Sequence, residues 1–270
     1  MMPLPSTRPI PPSEDLASRT LLDPGRTLEE DRLAEASEFF GASAPKEAPE
    51  PDYDEDLTHL DDAALFAHLE KKSGRGLARN LLKSVRLAQG AQLLAAFDER
   101  FPPEARPTTR ILDYGCGTSD HGLLFALAGY KVAIADIPAK VRFAAWRYAR
   151  RGLPVEVIEI DHTNWKSPPA GTRDGIICGE VLEHLRYPLS TVRALLGALP
   201  EGGWLWVSAY PFREKRRGGS HLEEAFRERP LVKRELKERC ERIRRDDVPG
   251  WLLEKRSRGF LGRLLARLGA

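Results

Sequence analysis

The sequence predicts an α/β protein with a doubly wound, mostly parallel sheet, and three observations support this prediction. Beyond residue 107, short apolar runs alternate with stretches of helical periodicity. The first run leads directly into a glycine-rich turn, and several later runs end in an acidic residue. Strands that alternate with helices form parallel sheets covered on both faces, and such sheets bind ligands at the carboxyl ends of their strands.

The apolar runs define five strands, and the periodic stretches between them define helices. Residues 220–245 are expected to form a charged helix, and residues 250–255 a final strand. The five strands are predicted at 109–113, 131–135, 155–160, 174–178 and 204–209, with helices at 119–128, 138–151 and 189–199.

The chain before this sheet divides into an arm and a helical cap. Residues 1–56 hold nine of the 21 prolines and little aliphatic periodicity, which predicts a largely disordered acidic arm with one feasible helix at 28–40. Residues 57–104 show helical spacing and form the predicted cap. Its second helix, 77–101, could kink at Gly90.

Residues 105–256 form the predicted ligand-binding domain, and residues 257–270 a short amphipathic C-terminal helix. The leucines of that helix lie on one face, apart from Arg263 and Arg267. Packing against its own domain is the simpler interpretation, and weak contact with a membrane surface or a partner is the alternative.

The net charge of +2 hides an uneven distribution along the chain. Residues 1–62 carry 5 basic and 16 acidic residues, residues 63–210 carry 19 and 14, and residues 211–270 carry 18 and 10. An acidic head with a basic tail occurs in nucleic-acid proteins. Here the basic residues are interleaved with acids, which favours a solvated surface.

Composition excludes several classes of protein. No apolar run approaches the roughly 18 residues of a membrane-spanning helix, and the proline-rich start lacks the layout of a secretory signal. Cys116, Cys178 and Cys240 are too few and too dispersed for a disulfide framework or a zinc site. We therefore expect a cytoplasmic protein without a metal ion.

The glycine-rich turn is the strongest chemical signal. In Ile-Leu-Asp-Tyr-Gly-Cys-Gly-Thr-Ser-Asp-His-Gly (111–122), a strand ends in an acid and two glycines precede a helix. Glycines at such a turn give a ligand close access to helical N–H groups. Asp120 occupies the position of the third glycine in the dinucleotide fingerprint, where an acid would repel a pyrophosphate. NAD and FAD are therefore disfavoured, and Asp113 could accept hydrogen bonds from an amine of the ligand.

Acidic residues also follow the second and third predicted strands. Asp136 could accept hydrogen bonds from two vicinal ribose hydroxyls. Asp161 could receive an adenine amine, and His162 after it would contribute its backbone. A single acid at a strand end could be a helix cap, but three in succession fit one nucleoside-like ligand.

On these residues, the chain resembles the class I S-adenosylmethionine-dependent methyltransferases, in particular the ubiquinone-biosynthesis-like branch that acts on small molecules. The resemblance covers about residues 105–256 and implies a seven-stranded Rossmann-like sheet. Ser119 stands where the family often has a third glycine. The matching stretches are 111–118, Asp136, 161–162, Asp-Gly-Ile-Ile-Cys-Gly-Glu-Val-Leu-Glu-His-Leu (174–185) and Gly-Gly-Trp-Leu-Trp-Val-Ser (202–208).

The resemblance implies S-adenosylmethionine as the cofactor and assigns each site residue a part of it. The residues that would hold it are Asp113, Gly115 and Gly117 at the methionine moiety, Asp136 at the ribose, Asp161 and His162 at the adenine, and Gly179 and Glu180 beside the sulfonium and the acceptor.

Two histidines are candidate general bases for methyl transfer. His184 and His221 have imidazoles suited to accepting a proton near neutral pH. His184 could equally be structural, and His221 could simply begin a helix. Glu183 could orient the His184 ring or face solvent. Cys116 and Cys178 border the same site, but no neighbouring residue suggests an activated thiol.

Three functions remain open at this stage. The first is methyl transfer to a small-molecule acceptor, with oxygen favoured over nitrogen or carbon. The second is nucleic-acid methylation through the basic tail, although no Asn/Asp-Pro-Pro-Tyr-like motif follows the fourth strand. The third is a binding module without activity, which the acids at the strand ends disfavour.

Overall fold

A seven-stranded sheet lies at the centre of the computed structural model, which describes residues 25–41, 57, 59–81, 85–166, 171–208 and 221–257. The prediction of a mostly parallel sheet is confirmed. In chain order the strands are β1 (Arg110–Tyr114), β2 (Lys131–Asp136), β3 (Glu156–Glu159), β4 (Gly175–Cys178), β5 (Trp204–Val207), β6 (Cys240–Ile243) and β7 (Trp251–Lys255).

The strand order creates a ligand crevice in the middle of the sheet. The order is β3-β2-β1-β4-β5-β7-β6, and β7 is antiparallel to both of its neighbours. From β1 the chain builds outward through β2 to β3, and then returns to place β4 on the other side of β1. The connections after β1 and β4 therefore diverge, which opens a crevice at the carboxyl ends of these two strands.

Helices cover both faces of the sheet. One core unites α2, α6 and α7 with residues such as Ile176, and the other unites α3, α4 and α5 with residues such as Ile177. In chain order the helices are α1 (Leu28–Phe40), α2 (Asp62–Leu81), α3 (Val85–Arg100), α4 (Asp120–Leu127), α5 (Pro138–Arg150), α6 (Pro188–Ala198) and α7 (Glu223–Arg239), with a 3₁₀ helix at Leu182–His184.

The cap helices break at a different place from the one expected. Helix α2 continues to Leu81, and α3 runs through Gly90. A Cβ at Gly90 would lie 2.7 Å from Leu124 Cδ1 and 3.1 Å from His121 Cδ2. This glycine therefore allows α3 to pack closely on α4, and it does not interrupt the helix.

The predicted charged helix at 220–245 is also shorter than expected. It ends at Arg239, and Cys240–Ile243 pairs with β7 as an edge strand. Glu241 and Arg242 are exposed on this strand. Charged side chains protect a sheet edge from further pairing, although in the sequence they resemble a helix surface.

The predicted arm contains one packed helix. Thr27 and Glu30 form a reciprocal capping box at the start of α1. Phe39 and Phe40 of α1 pack against Phe143 of α5, at ring-centroid distances of 4.8 and 5.4 Å. The rest of the arm, 1–24 and 42–56, lies outside the described residues, as does nearly all of the predicted helix at 257–270.

Among the described residues, no helix combines the length and the apolar character that crossing a bilayer requires.

Candidate cofactor and acceptor site

Gly115 begins the turn after β1 and touches the neighbouring strand connection. Its φ angle is +68°, a left-handed conformation that glycine adopts without steric cost. A Cβ there would lie 2.2 Å from Val181 Cγ2. Val181 follows β4, so the turns after β1 and β4 meet at this glycine.

The next part of the turn also has left-handed backbone conformations, at one glycine and at one serine. Gly117 and Ser119 have φ angles of +53° and +54°. Ser119 Oγ donates to Asp113 Oδ2 at 2.8 Å and lies 3.2 Å from the Tyr148 hydroxyl. Ser119 thus adopts a left-handed conformation although it is not a glycine, and its hydroxyl ties the turn to β1.

Asp113 lies beneath this turn. Its side chain is buried and also accepts a hydrogen bond from the Gly122 amide at 3.1 Å. Burial raises the pKa of Asp113 to about 7, against the hydrogen bonds from Ser119 and Gly122. A positively charged ligand group beside this carboxyl would favour its ionised form.

Asp136 ends β2 and lies against the same turn. Its Oδ2 accepts from the Gly117 amide at 2.8 Å, and its Oδ1 accepts from the Ile137 amide at 2.8 Å. Lys140 Nζ is 3.5 Å from Oδ1. The carboxylate is fixed in place, and each oxygen has a further lone pair for a ligand hydroxyl.

Asp161 and His162 lie beyond β3. Asp161 Oδ1 accepts from the Thr163 amide at 2.7 Å and from its hydroxyl at 2.6 Å, which lowers the pKa of Asp161. The His162 ring is exposed, 6.5 Å from that of Phe66. The Asp161 side chain therefore stabilises its own turn with one oxygen. We refer to the residues 113–122, 136 and 161–162 as the cofactor edge.

Gly179 and Glu180 follow β4 on the opposite side of the crevice. A Cβ at Gly179 would lie 2.7 Å from the Trp206 ring. Glu180 has a φ angle of +56°, and its amide donates to Ser208 Oγ at 2.8 Å, while this hydroxyl donates to Glu180 Oε1 at 2.9 Å. A strained backbone held by neighbouring groups is common at functional sites.

The two candidate bases come together in space. The rings of His184 and His221 have centroids 4.9 Å apart. The Leu222 amide donates to the Glu183 carbonyl at 3.0 Å, which joins the start of α7 to the 3₁₀ helix. Glu183 itself is buried. We refer to the residues 179–184, 208 and 221 as the acceptor edge.

Arg86 is a residue of the site that the sequence interpretation missed. Its guanidinium Nη1 would be 3.7 Å from a Cβ at Gly117, so it reaches the cofactor turn from α3. Its positive charge also opposes, in part, the rise in the pKa of Asp113 that burial causes. In the sequence, an arginine within an amphipathic helix resembles any surface residue, and no signal separates it.

The cofactor turn is held from behind by a buried ionic network that the sequence interpretation also missed. Arg147 of α5 donates to the Thr118 carbonyl at 2.6 Å and to Asp120 Oδ1 at 2.9 Å. Burial alone would raise the pKa of Asp120, but Arg32 and Arg147 outweigh it and hold the pKa at about 2. Glu35 of α1 accepts from Arg147 at 3.2 Å.

The cysteines near the site are unsuited to nucleophilic catalysis. Cys116 and Cys178 are buried, and burial raises the pKa of both thiols. A protonated thiol in an apolar setting is inert, because the thiolate is the reactive form. Both residues pack the strands on either side of the crevice. An apolar substrate wall, or packing at the edge of the sheet, is the role that the sequence predicts for Trp165, Tyr210 and Phe212. Trp165 is buried against the rings of Phe66 and Tyr187, whereas Tyr210 and Phe212 lie outside the described residues.

The fold and the site combine a glycine turn after β1 with an acid at the carboxyl end of each of β1 and β2, an arrangement typical of α/β proteins that bind nucleoside cofactors. The comparisons with known proteins identify the family. A model of a methyltransferase domain matches residues 86–252, and the chain belongs to this family. The family uses S-adenosylmethionine.

Two curated relatives illustrate the sequence similarity. The ubiquinone biosynthesis O-methyltransferase of Bordetella avium is 33% identical over 100 residues, which are 37% of this chain and 42% of that protein. The enzyme of the same name in Xanthomonas campestris is 30% identical over 105 residues, 38% of this chain and 44% of its own length. The chain therefore matches less than half the length of these relatives.

Solved structures confirm the fold. The magnesium protoporphyrin IX methyltransferase of Synechocystis PCC 6803, solved with bound S-adenosylmethionine, has a TM-score of 0.52 and 19% identity, over 75% of this chain and 100% of that chain. An O-methyltransferase family protein of Burkholderia thailandensis has a TM-score of 0.50 and 15% identity, over 86% and 70%. The predicted Rossmann-like methyltransferase fold is thus confirmed.

Proposed function

We propose that the protein transfers a methyl group from S-adenosylmethionine to a small-molecule acceptor, with oxygen the favoured acceptor atom. The observation that carries this proposal is the contact between Gly115 and Val181. This contact joins the turn after β1 to the connection after β4, which supports a cofactor and an acceptor that meet in the crevice between these two strands. The names of the curated relatives and of the structural neighbours point to the same chemistry.

The residues of the cofactor edge fit this cofactor. Asp113 offers a buried carboxyl to the ammonium group of the methionine moiety, and Arg86 could pair with its carboxylate. Asp136 would accept the two ribose hydroxyls, because both of its oxygens are already oriented by backbone amides. Asp161 and the backbone of His162 would receive the adenine.

When bound, the cofactor supplies a methyl group on a positively charged sulfur, which is already activated for displacement. The chain therefore contributes mainly orientation and exclusion of water. Gly115 and Gly117 allow close approach on one side, and Glu180, fixed by Ser208, borders the other. His184 and His221, the candidate bases on the acceptor edge, would receive the proton of an acceptor hydroxyl.

A nucleic-acid acceptor is less well supported. Four arginines in the described part of the tail are paired with acids, which reduces the positive charge that these four can offer to phosphates. These pairs are Arg227 with Glu223, Arg234 with Glu238, Arg239 with Glu235, and Arg245 with Glu99 and Asp247.

We also propose a reducing compartment, in keeping with the cytoplasmic expectation. All three cysteines are free and buried in the structure.

Calorimetric titration with S-adenosylmethionine tests the cofactor half of the proposal. Asp136→Ala should abolish measurable affinity, because it removes both ribose acceptors and the anchor of the Gly117 amide. Glu159→Ala is the matched control, an exposed acid on the neighbouring strand. Equal affinity of the Asp136 variant and the wild type would contradict the assignment.

Incubation with labelled S-adenosylmethionine and cell-extract metabolites tests the acceptor half. Label should pass to a small organic product and not to extracted nucleic acid. Transfer to RNA or DNA alone would reject a small-molecule acceptor.

A further inference from the structure

The most informative unassigned feature is the cluster of Glu183, His184 and His221 on the acceptor edge. Each of these residues offers one ligand atom, and the three atoms all lie within 4.8 Å of one another. At metal–ligand bonds of about 2.1 Å, two ligands of one ion lie roughly 3 to 4 Å apart. Small side-chain adjustments would therefore close the three atoms around one cation.

We propose that this cluster binds a divalent transition-metal ion of the zinc, cobalt and manganese class. Two imidazoles and one carboxylate are a common catalytic donor set, because three protein ligands leave positions open for water or substrate. Two nitrogen donors favour such ions over Mg²⁺ or Ca²⁺, which prefer oxygen ligands. This inference revises the expectation of no metal ion, which rested on the cysteines alone.

The backbone holds the three donors together. Glu183 and His184 belong to the 3₁₀ helix after β4, whereas His221 lies at the entry to α7. The hydrogen bond from the Leu222 amide to the Glu183 carbonyl joins the two segments directly beside the donors. Arg186, which pairs with Asp62 of α2 and Glu224 of α7, ties the cap to the same place.

The location gives such an ion a function, and this part of the inference rests on the proposed methyl transfer. Val181 touches Gly115 of the cofactor turn and is separated from Glu183 by a single residue. An ion at the cluster would thus lie next to the crevice where the acceptor must meet the cofactor. A nearby cation lowers the pKa of an acceptor hydroxyl, whose proton can then leave to water. With the ion bound, His184 and His221 would be its ligands, and water would take over the proton-accepting role that the proposed function gives to the two imidazoles.

Metal binding to the full-length protein tests the site directly. The chain is stripped with a chelator and titrated with Zn²⁺ against a chromophoric competitor, and Co²⁺ is bound in parallel for its visible spectrum. We expect one ion per chain. The Zn²⁺ affinity should fall by at least about 100-fold in each of three variants, His221→Ala, His184→Ala and the conservative Glu183→Gln. Loss of a group that only orients a ligand already lowers metal affinity by about 10- to 100-fold, and loss of the ligand itself should lower it further.

His59→Ala is the control variant, because His59 is exposed and outside the cluster. Circular dichroism confirms that each variant is folded. Wild-type Zn²⁺ affinity in both His221→Ala and Glu183→Gln, or an equal loss in His59→Ala, would overturn the site.

A separate titration with S-adenosylmethionine keeps the two proposals distinguishable. Cofactor affinity should be the same in the stripped and the loaded protein. If the cofactor binds and methyl transfer proceeds at full rate in the stripped protein, the metal site has no part in the reaction and the inference fails alone. If Zn²⁺ binds through the three residues but the cofactor does not bind, only the proposed function fails.

Discussion

The cofactor edge and the acceptor edge are built in different ways, although they meet at Gly115 and Val181. Each carboxylate of the cofactor edge is fixed by groups close in the chain: Ser119 and Gly122 hold Asp113, and the Ile137 amide holds Asp136. The acceptor edge joins segments far apart in the chain, such as Glu180 with Ser208.

The difference shows what each edge requires. A turn after one strand can orient a cofactor with its own amide groups only if the backbone of the turn is held rigid by neighbouring elements. The buried network of α1 and α5 supplies that support from behind. The acceptor edge brings together side chains from several elements, such as Glu180 with Ser208 and His184 with His221. The shape of this edge therefore depends on how those elements pack.

Removing the support of the cofactor edge should have the largest effect. Arg147→Met removes the partner that the buried Glu35 and Asp120 share. Arg151 still pairs with Glu35 and Arg32 with Asp120, so we expect a loss near the lower end of the roughly 3 to 5 kcal/mol of unfolding free energy that a broken buried pair costs. Arg150→Met is the matched control on the same helix, since Arg150 pairs with the half-exposed Glu38 and should cost at most about 1 kcal/mol. Urea unfolding measures both, and equal losses would show that the network does not support the turn.

Substitution at the junction of the two edges should have the next largest effect. Gly115→Ala combines a strained φ of +68° with an overlap against Val181. We expect it to lower the free energy of unfolding by about 2 to 4 kcal/mol and to reduce cofactor affinity. Gly117→Ala should lose only about 1 kcal/mol, because its Cβ has an ordinary 3.7 Å contact.

The double variant Gly115→Ala/Val181→Ala separates the two causes. It removes the two closest contacts, those of the Val181 γ-carbons, leaves the Val181 Cβ at 3.1 Å and keeps the backbone strain, so part of the stability should return. A double variant as unstable as Gly115→Ala would mean that Val181 is not the group in contact.

The third effect should have the opposite sign and depend on pH. The pKa of Asp113 is raised from about 3.9 in an unfolded chain to about 7 in the fold. Between these values the folded state keeps a proton that the unfolded state has lost, so the stability of the wild type falls as pH rises from about 4 to about 7.

Asp113→Asn cannot titrate and should therefore gain stability relative to the wild type across this window, with no further gain above pH 7. It should also lose cofactor affinity. Urea unfolding at pH 5 and pH 8 measures the difference, and a value that is the same at both pH values would contradict the raised pKa.

Much of the cofactor edge could be predicted from the sequence. Asp113 and Asp136 stand at the ends of apolar runs, and strand ends of a parallel sheet meet at one edge, so local pattern alone brings them together. Arg86 and Arg147 could not be predicted, because a charged residue in an amphipathic helix has the same pattern whether it meets solvent or a buried carboxylate. The predicted start of the second cap helix at residue 77 was wrong, because α2 continues to Leu81. The role of Gly90 could not be predicted either, because it depends on contacts with Leu124 and His121 of another helix, α4.

The sequence by itself determined the class of sheet, the glycine turn and the acids at the carboxyl ends of β1 and β2, because these depend on hydrophobic period and on residues close in the chain. Only the tertiary structure placed α1 behind the cofactor turn and brought His221 beside Glu183 and His184. Those contacts join distant segments, and their formation depends on how whole helices pack on the sheet. No local pattern records that packing.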